Sequence, residues 1–206
     1  MPATREQIEA RSERIVDAAE AQIAASGVGS LTARAVAEAA GCSTGLIYRN
    51  FGDLDGLILR ANSRFIAKLD AELGKAAIPD ASVADRYVAL ALTYLRFGLK
   101  HRRQWAALFE HRMPGGQPLP EWHLEEHMRL FRHVAGPMAE LAPSMTERER
   151  NALARTIYSS VHGIVSLSIE TRLGQVPVPD LEEQLVLFVR ALVRGLALEE
   201  LSQAAQ

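Results

Sequence analysis

Residues 31–51 read LTARAVAEAAGCSTGLIYRNF. The stretch spells two short helices joined by a tight turn. Thr32 is placed to cap the first by accepting a bond from a first-turn backbone N–H. Leu31 before the cap and Val36 four residues after it make a hydrophobic staple. Ala33, Ala35, Ala37, Ala39 and Ala40 favour helix and keep the element thin. Gly41 ends it, because glycine takes the left-handed conformation without steric penalty. Ser43 is placed to cap the second helix, and Cys42 with Ile47 repeats the staple. Leu46 and Ile47 face inward, leaving Thr44, Gly45, Tyr48, Arg49 and Asn50 outside. A short helix that is polar and aromatic where a core helix would be apolar is the build of a helix-turn-helix DNA reader. Thr44 and Asn50 suit base edges or phosphates, Arg49 a guanine edge or a phosphate, and Tyr48 an apolar contact with a hydroxyl for phosphate. Gly45 permits close approach to the sugar-phosphate chain. The bland alternative is an alanine-rich hairpin with a solvated face. Two caps, two staples and a turn glycine agree against it.

Upstream, Arg5 to Ala25 carries Ile8, Ile15, Ala18, Ala19 and Ile23 at helical spacing, and Ser26-Gly27 stops it. After Phe51, a Gly52-Asp53 turn leads into Leu54, Leu57, Ile58, Ala61, Phe65 and Leu69, a further amphipathic helix to about Lys75.

Residues 8–68 resemble the N-terminal domain of TetR-type bacterial transcriptional regulators. The matching pieces are Arg14-Ile15-Val16-Asp17-Ala18-Ala19, Gly27-Val28, Leu31-Thr32-Ala33-Arg34, Ala37, Ala40-Gly41, Ser43-Thr44-Gly45, Leu46-Ile47-Tyr48, Phe51 and Asp53. The resemblance places the DNA-contacting stretch at 32–51. It implies contacts from Thr32 and Arg34 at the start of the first of the paired helices, and from Ser43, Thr44, Gly45, Tyr48, Arg49 and Asn50 on the second. Three positions depart from the family pattern. Leu54 stands where a phosphate-binding lysine is common, which predicts about one phosphate contact fewer in the salt dependence. Asn50 stands where histidine is common. Gly56 falls in the first turn of the fourth helix, where glycine costs about 1 kcal/mol relative to alanine, so that turn is expected to fray.

Charge does not announce a nucleic-acid partner. The chain has 206 residues and a formal net charge of −2. Over 1–68, eight cationic and eight acidic side chains cancel, whereas a non-specific DNA coater would be strongly basic. A specific dimeric reader needs only a local positive face and helix N-termini aimed at phosphates. Cys42 is the single cysteine, so an internal disulfide is excluded, which fits a reducing bacterial cytoplasm. The segment Met1–Gln7 lacks the apolar core of a secretory signal. No apolar run reaches membrane-span length; Leu185 to Val193 is short and broken by Arg190.

Beyond a linker at 76–81, Ser82 with Asp85 opens a helix to about Lys100. Lys100-His101-Arg102-Arg103 reads as a solvated charge run at its C-terminal end. A short helix follows at 104–110, and another runs from near Pro120 to Ala142. Thr146 with Glu149 and Asp180 with Glu183 are capping boxes for two long terminal helices, 147 to about 173 and 181–201. Both are apolar round much of their girth, so both must be buried. Being terminal, they are expected to pack against a second copy through Ile157, Val161, Ile164, Leu185, Phe188, Leu192 and Leu196 as a two-fold four-helix interface. Val161-His162-Gly163 is similar to the Trp-His-Gly of one TetR subgroup, with Val161 in the tryptophan's place.

The fold expectation is thus all-α: a helix-turn-helix head at 5–52, a fourth helix from about 54 bridging the domains, and a dimerising helical bundle at 76–206. The resemblance implies that the bundle encloses a small-molecule effector pocket. Its candidate lining is Tyr94, Phe97, Trp105, Phe109, Trp122, His127, Phe131, Tyr158 and His162. Aromatic residues at this spacing also serve as plain core. The functional expectation is a repressor, a homodimer on a near-palindromic double-stranded operator, released by an effector, with no cofactor, resident metal or membrane partner. Two alternatives compete. One is a ligand-binding helical protein whose head has lost DNA function. The other is a zinc hydrolase using His123-Leu124-Glu125-Glu126-His127, an H-x-x-E-H pattern that puts two histidines on one helix face. No phosphate-binding glycine loop and no G-x-S-x-G elbow is present.

Overall fold

The computed structural model describes residues 4–76, 78, 80–170, 174 and 176–204. Among them it is all-α: α1 (Arg5–Ser26), α2 (Ala33–Ala40), α3 (Thr44–Phe51), α4 (Leu54–Lys75), α5 (Val83–Lys100), α6 (Arg102–Glu110), α7 (Glu121–Leu141), α8 (Glu147–Glu170) and α9 (Val178–Ala204), with short 3-10 turns at Val28–Ser30 and Pro114–Gly116. The extension of α8 to about Leu173 read from the sequence lies outside the described residues. None of these helices is long and apolar enough to cross a membrane.

The described chain forms two compact units. The first holds residues up to Ala67 together with His101–Leu124; the second holds Lys68–Lys100 and the residues from Glu125 on. The first unit is larger than the expected head, because 101–124 packs with it. Tertiary bonds explain why. The buried Asn62 amide on α4 donates to the Ala107 carbonyl on α6 at 3.0 Å. Arg103 donates to the Ala24 and Ala25 carbonyls at the end of α1, so it caps a helix rather than standing in a solvated run. His111 Nε2 lies 3.2 Å from Asp55 Oδ1. Trp105, Phe109 and Trp122 therefore belong to this unit and not to a pocket in the bundle. Trp105 is buried against Phe109, with ring centroids 4.8 Å apart, and the Arg60 guanidinium stacks 4.2 Å over Trp122.

The core of the first unit joins Ile15, Val16, Ala19 and Ile23 of α1 to Val36 and Ala37 of α2, Ile47 of α3 and Leu57, Ile58 and Ala61 of α4. Arg64 of α4 holds the other side of α1: it bonds Glu13 and lies 2.5 Å from Asp17 and 3.8 Å from Glu20. Its guanidinium pKa is raised by these carboxylates against an opposing desolvation.

The second unit is a bundle in which α5 packs against both α8 and α9. Local caps hold its helix starts: Ser82 Oγ accepts from Asp85 N at 3.1 Å, and Thr146 and Glu149 bond reciprocally. The second expected box is displaced. α9 begins at Val178, with Pro179 in the first turn, where its missing N–H is no loss, and Asp180 lies within that turn. Leu181 N–H then bonds the Pro177 carbonyl at 3.0 Å.

The expected dimer residues need correction as well. Ile157, Val161 and Leu185 are buried within their own chain, which leaves them little or no surface for a second copy. Leu192 is half-buried and lines an internal cavity; Ile164, Phe188 and Leu196 are half-buried. The apolar side chains left outside on these helices include Leu167, Leu187 and Leu198, at 49%, 63% and 59% exposure. A helix apolar all round does not reveal which side meets its own bundle.

Gly56 also reverses its expectation. A Cβ there would stand 2.1 Å from the Phe51 carbonyl oxygen, and the Gly56 N–H is bonded by Asp53 Oδ1 at 2.7 Å. The turn is capped, and glycine is needed for close approach. Gly56→Ala is expected to lower stability by about 1–3 kcal/mol, as overfilled sites do. Helix propensity alone would give a gain of about 1 kcal/mol. A thermal melt decides, and an unchanged or raised Tm contradicts the close-approach reading.

Candidate nucleic-acid interface and ligand cavity

The turn between α2 and α3 is set by backbone bonds. Gly41 sits at φ 63°, ψ 43°, in the left-handed region. Its N–H reaches Glu38 O at 3.2 Å, and the Cys42 N–H reaches Ala37 O at 2.9 Å, so the final carbonyls of α2 are satisfied. Thr32 Oγ1 accepts from Ala35 N at 3.2 Å, the cap expected of it. Ser43 has extended N-cap backbone, and its carbonyl accepts from Leu46 N at 3.0 Å. Its hydroxyl makes no capping bond, which corrects that part of the expectation.

α3 is anchored by Ile47, which is wholly buried, and by half-buried Leu46 and Phe51. Cys42 packs on the same cluster. Thr44, Gly45, Tyr48 and Arg49 are exposed, Tyr48 at 51%; Thr32, Arg34 and Ser43 are exposed beside them. Asn50 departs from the outward set. It is half-buried, and its Nδ2 donates to Ser12 Oγ on α1 at 2.9 Å. It pins the reading helix to the head.

Two residues that the sequence reading passed over join the site. Arg11 and Arg14 of α1 share a recess with Arg49, Gly41, Cys42, Ser43 and Leu46. Their spacing of three on one helix carried the signal, but it was masked by the neutral charge count. Several α1 carboxylates have their own cations: Glu13, Asp17 and Glu20 turn to Arg64, and Glu9 pairs with Arg5 at 2.8 Å, while Asp17 also borders a second recess with Arg14. Leu54, in the place of the family lysine, is half-buried and packs on the core cluster.

The second unit holds a partly open cavity of about 50 Å³. Leu73 of α4, Tyr87, Leu90 and Tyr94 of α5, Leu130 and His133 of α7, Ile157, Tyr158 and Val161 of α8, and Leu192 of α9 are among its walls. Of the nine expected pocket residues, Tyr94 and Tyr158 line it. Tyr94 Oη lies 2.9 Å from both Tyr158 Oη and His162 Nδ1, and His162 Nε2 lies 3.1 Å from Ser166 Oγ. Phe131 packs on Tyr158 with centroids 4.8 Å apart. Phe97 is buried and His127 half-buried, and neither is among the lining residues. Burial pushes the Tyr94 and Tyr158 hydroxyl pKa values up and that of His162 down, so all three are neutral near pH 7.

The zinc pattern finds no matching site. His123 is buried edge-on against Trp122, with centroids 5.3 Å apart. Among the described residues no group of three or more His, Cys, Asp or Glu side chains is placed to hold a metal ion.

The two kinds of exposed-face residue should separate in stability. Asn50→Ala and Ser12→Ala each remove a half-buried inter-helix bond and are expected to cost about 1 kcal/mol. Arg49→Ala, at a solvated position, should stay within about 0.5 kcal/mol of the parent. Denaturant titrations check this. Equal effects at Asn50 and Arg49 would contradict the pinning role.

The family described as bacterial regulatory proteins, tetR family, matches residues 15–61. The tetracyclin repressor-like C-terminal domain matches residues 87–200. Among solved structures, the chain is similar to a protein with unknown function from Rhodococcus sp. RHA1, with 23% identity, 91% of this chain and 95% of that one covered, and a TM-score of 0.72. It is similar to a tetR-family transcriptional regulator from Streptomyces coelicolor, with 20% identity, coverage of 100% and 87%, and a TM-score of 0.71. A TetR transcriptional regulator from Rhodococcus sp. RHA1 matches at 18% identity, coverage of 90% and 96%, and a TM-score of 0.63. At these identities the likeness is one of fold. No curated protein matches the chain. The C-terminal domain match alone spans more than half of the residues and the head match adds the helix-turn-helix, so the chain belongs to the TetR family of DNA-binding bacterial transcriptional regulators.

Proposed function

We propose that the chain is a cytoplasmic homodimeric repressor that reads a near-palindromic operator through α3 and leaves it when a small molecule enters the second unit. The observation that carries the DNA part is the exposed face of α3, held by buried Ile47 and flanked by the Arg11, Arg14 and Arg49 recess. Tyr48, Thr44 and Arg49 would meet base edges or phosphates, and Thr32, Arg34 and Ser43 would meet the sugar-phosphate chain. Arg11 and Arg14 would bind a phosphate beside the α3 N-terminus, where the helix dipole also favours an anion. They would replace the contact that Leu54 cannot make. Gly45 supports the reading too: a Cβ there would meet nothing nearer than Ser43 Oγ at 4.0 Å. The fold itself does not require glycine, whereas a closely approaching backbone would.

The homodimer would form through the exposed apolar side of α8 and α9, with Leu167, Leu187 and Leu198 meeting their copies and Ile164, Phe188 and Leu196 beside them. Two such heads would set their α3 helices about 34 Å apart, one turn of duplex. Release demands an effector that favours the conformation off DNA. α4 supports such coupling, since it gives Leu57 and Ile58 to the head core and Leu73 to the cavity wall.

The test is a gel shift on duplexes enriched from a random pool by the parent chain. Tyr48→Ala and Arg49→Ala are each expected to weaken binding about tenfold or more, a loss of 1–3 kcal/mol, without unfolding the head. Unchanged affinity in both would refute the assigned face.

A further inference from the structure

We infer that the cavity of the second unit takes an uncharged, predominantly apolar molecule with a hydrogen-bonding group that the Tyr158 hydroxyl reads. The inference rests on the effector reading and specifies its chemistry. It follows from how the polar side chains around the cavity are already partnered.

Tyr87 Oη donates to the Val134 carbonyl at 2.8 Å. His133 Nε2 lies 2.7 Å from Asp70 Oδ1, while Arg132 holds the other oxygen of that carboxylate at 2.6 Å. Among the described lining residues none is lysine, arginine, aspartate or glutamate, and His133 already faces the Asp70 carboxylate. A ligand carboxylate or ammonium would find no free counter-charge there. Burying either without a counter-charge is strongly unfavourable. The remaining wall is aliphatic, with Leu90, Leu130, Ile157, Val161, Val189 and Leu192 contributing.

Hydrogen-bonding capacity is left at the end of the relay Ser166, His162, Tyr94, Tyr158. Neutral His162 has one N–H and one acceptor nitrogen, and the relay closes in two ways. In one, Tyr158 donates to Tyr94, Tyr94 to His162 Nδ1, and His162 Nε2–H to Ser166. Tyr158 then offers a lone pair. In the other, Ser166 donates to His162 Nε2, His162 Nδ1–H to Tyr94, and Tyr94 to Tyr158. Tyr158 then offers its proton. A change of tautomer thus lets the same hydroxyl meet a ligand carbonyl or a ligand alcohol. Burial keeps each member neutral in both arrangements. The resting cavity, about 50 Å³, is below the usual range of roughly 300–1,000 Å³ for ligand sites, so it must widen to hold the ligand.

The experiment is calorimetric titration of the full chain, without DNA, using 1-octanol, 2-octanone, octanoate and octylammonium. The alcohol and the ketone are expected to bind at least tenfold more tightly than either ion. Tyr158→Phe should weaken both neutral compounds about fivefold or more and leave the ions unchanged. Should that variant fail to fold, the ranking of the four compounds on the parent chain decides alone. An ion that binds as tightly as the alcohol overturns the inference, as does absence of binding by both neutral compounds. Binding of 1-octanol that leaves the protein on its DNA supports this inference and sinks the effector reading.

Discussion

The burial of one side chain, Ile47, is the constraint on which the reading face depends. α3 has eight residues, and Ile47 is its fully buried one. A helix this short has little stability of its own. It stands because Ile47 enters a cluster built from α1, α2 and α4, with Leu46 and Phe51 resting on the same cluster. That single-sided attachment frees the other face. The Asn50–Ser12 bond and the Gly41 turn then fix the helix in rotation and direction. The polar surface that the family uses on DNA is in this sense a consequence of where the apolar residues fall.

Electrostatics follow the same frame. A head with no net charge suits DNA only if its signs are sorted in space. Arg64 gathers the carboxylates of Glu13, Asp17 and Glu20, while Arg11 and Arg14 border one recess with the α2–α3 turn and with Arg49 of the last turn of α3. One latch therefore serves packing and charge placement together. Surface ion pairs such as Arg96–Glu182 and Arg190–Asp85 in the second unit contribute little by comparison.

What the sequence made legible was local. Thr32, Gly41, Ser82 and Thr146 mark helix ends through bonds spanning three or four residues, and the helix boundaries they imply agree closely with the structure. Several of the misplaced readings turn on partners far along the chain. Asn50 looks outward until Ser12 is known. Segment 101–124 looks like part of the bundle until Asn62 meets Ala107. Ile157, Val161 and Leu185 look like interface residues because an all-round apolar helix does not distinguish its own core from a partner's. Gly56 looks like a helix defect because propensity ignores the Phe51 carbonyl beside it. Arg11 and Arg14 were lost in a charge total that carries no positions. Of the aromatic residues read as pocket lining, Tyr94 and Tyr158 fall on the cavity wall and His162 is bonded to Tyr94, whereas Trp105, Phe109 and Trp122 share their aromatic character and not their place.

The proposed operator recognition requires paired copies of α3 to address consecutive turns of a duplex. Hydroxyl-radical footprinting of the parent chain on an enriched duplex tests this most directly. The expected pattern is two equivalent protected patches on one face of the DNA, about 10 base pairs between centres or a small multiple of that. A single patch, or two patches on opposite faces, would contradict it.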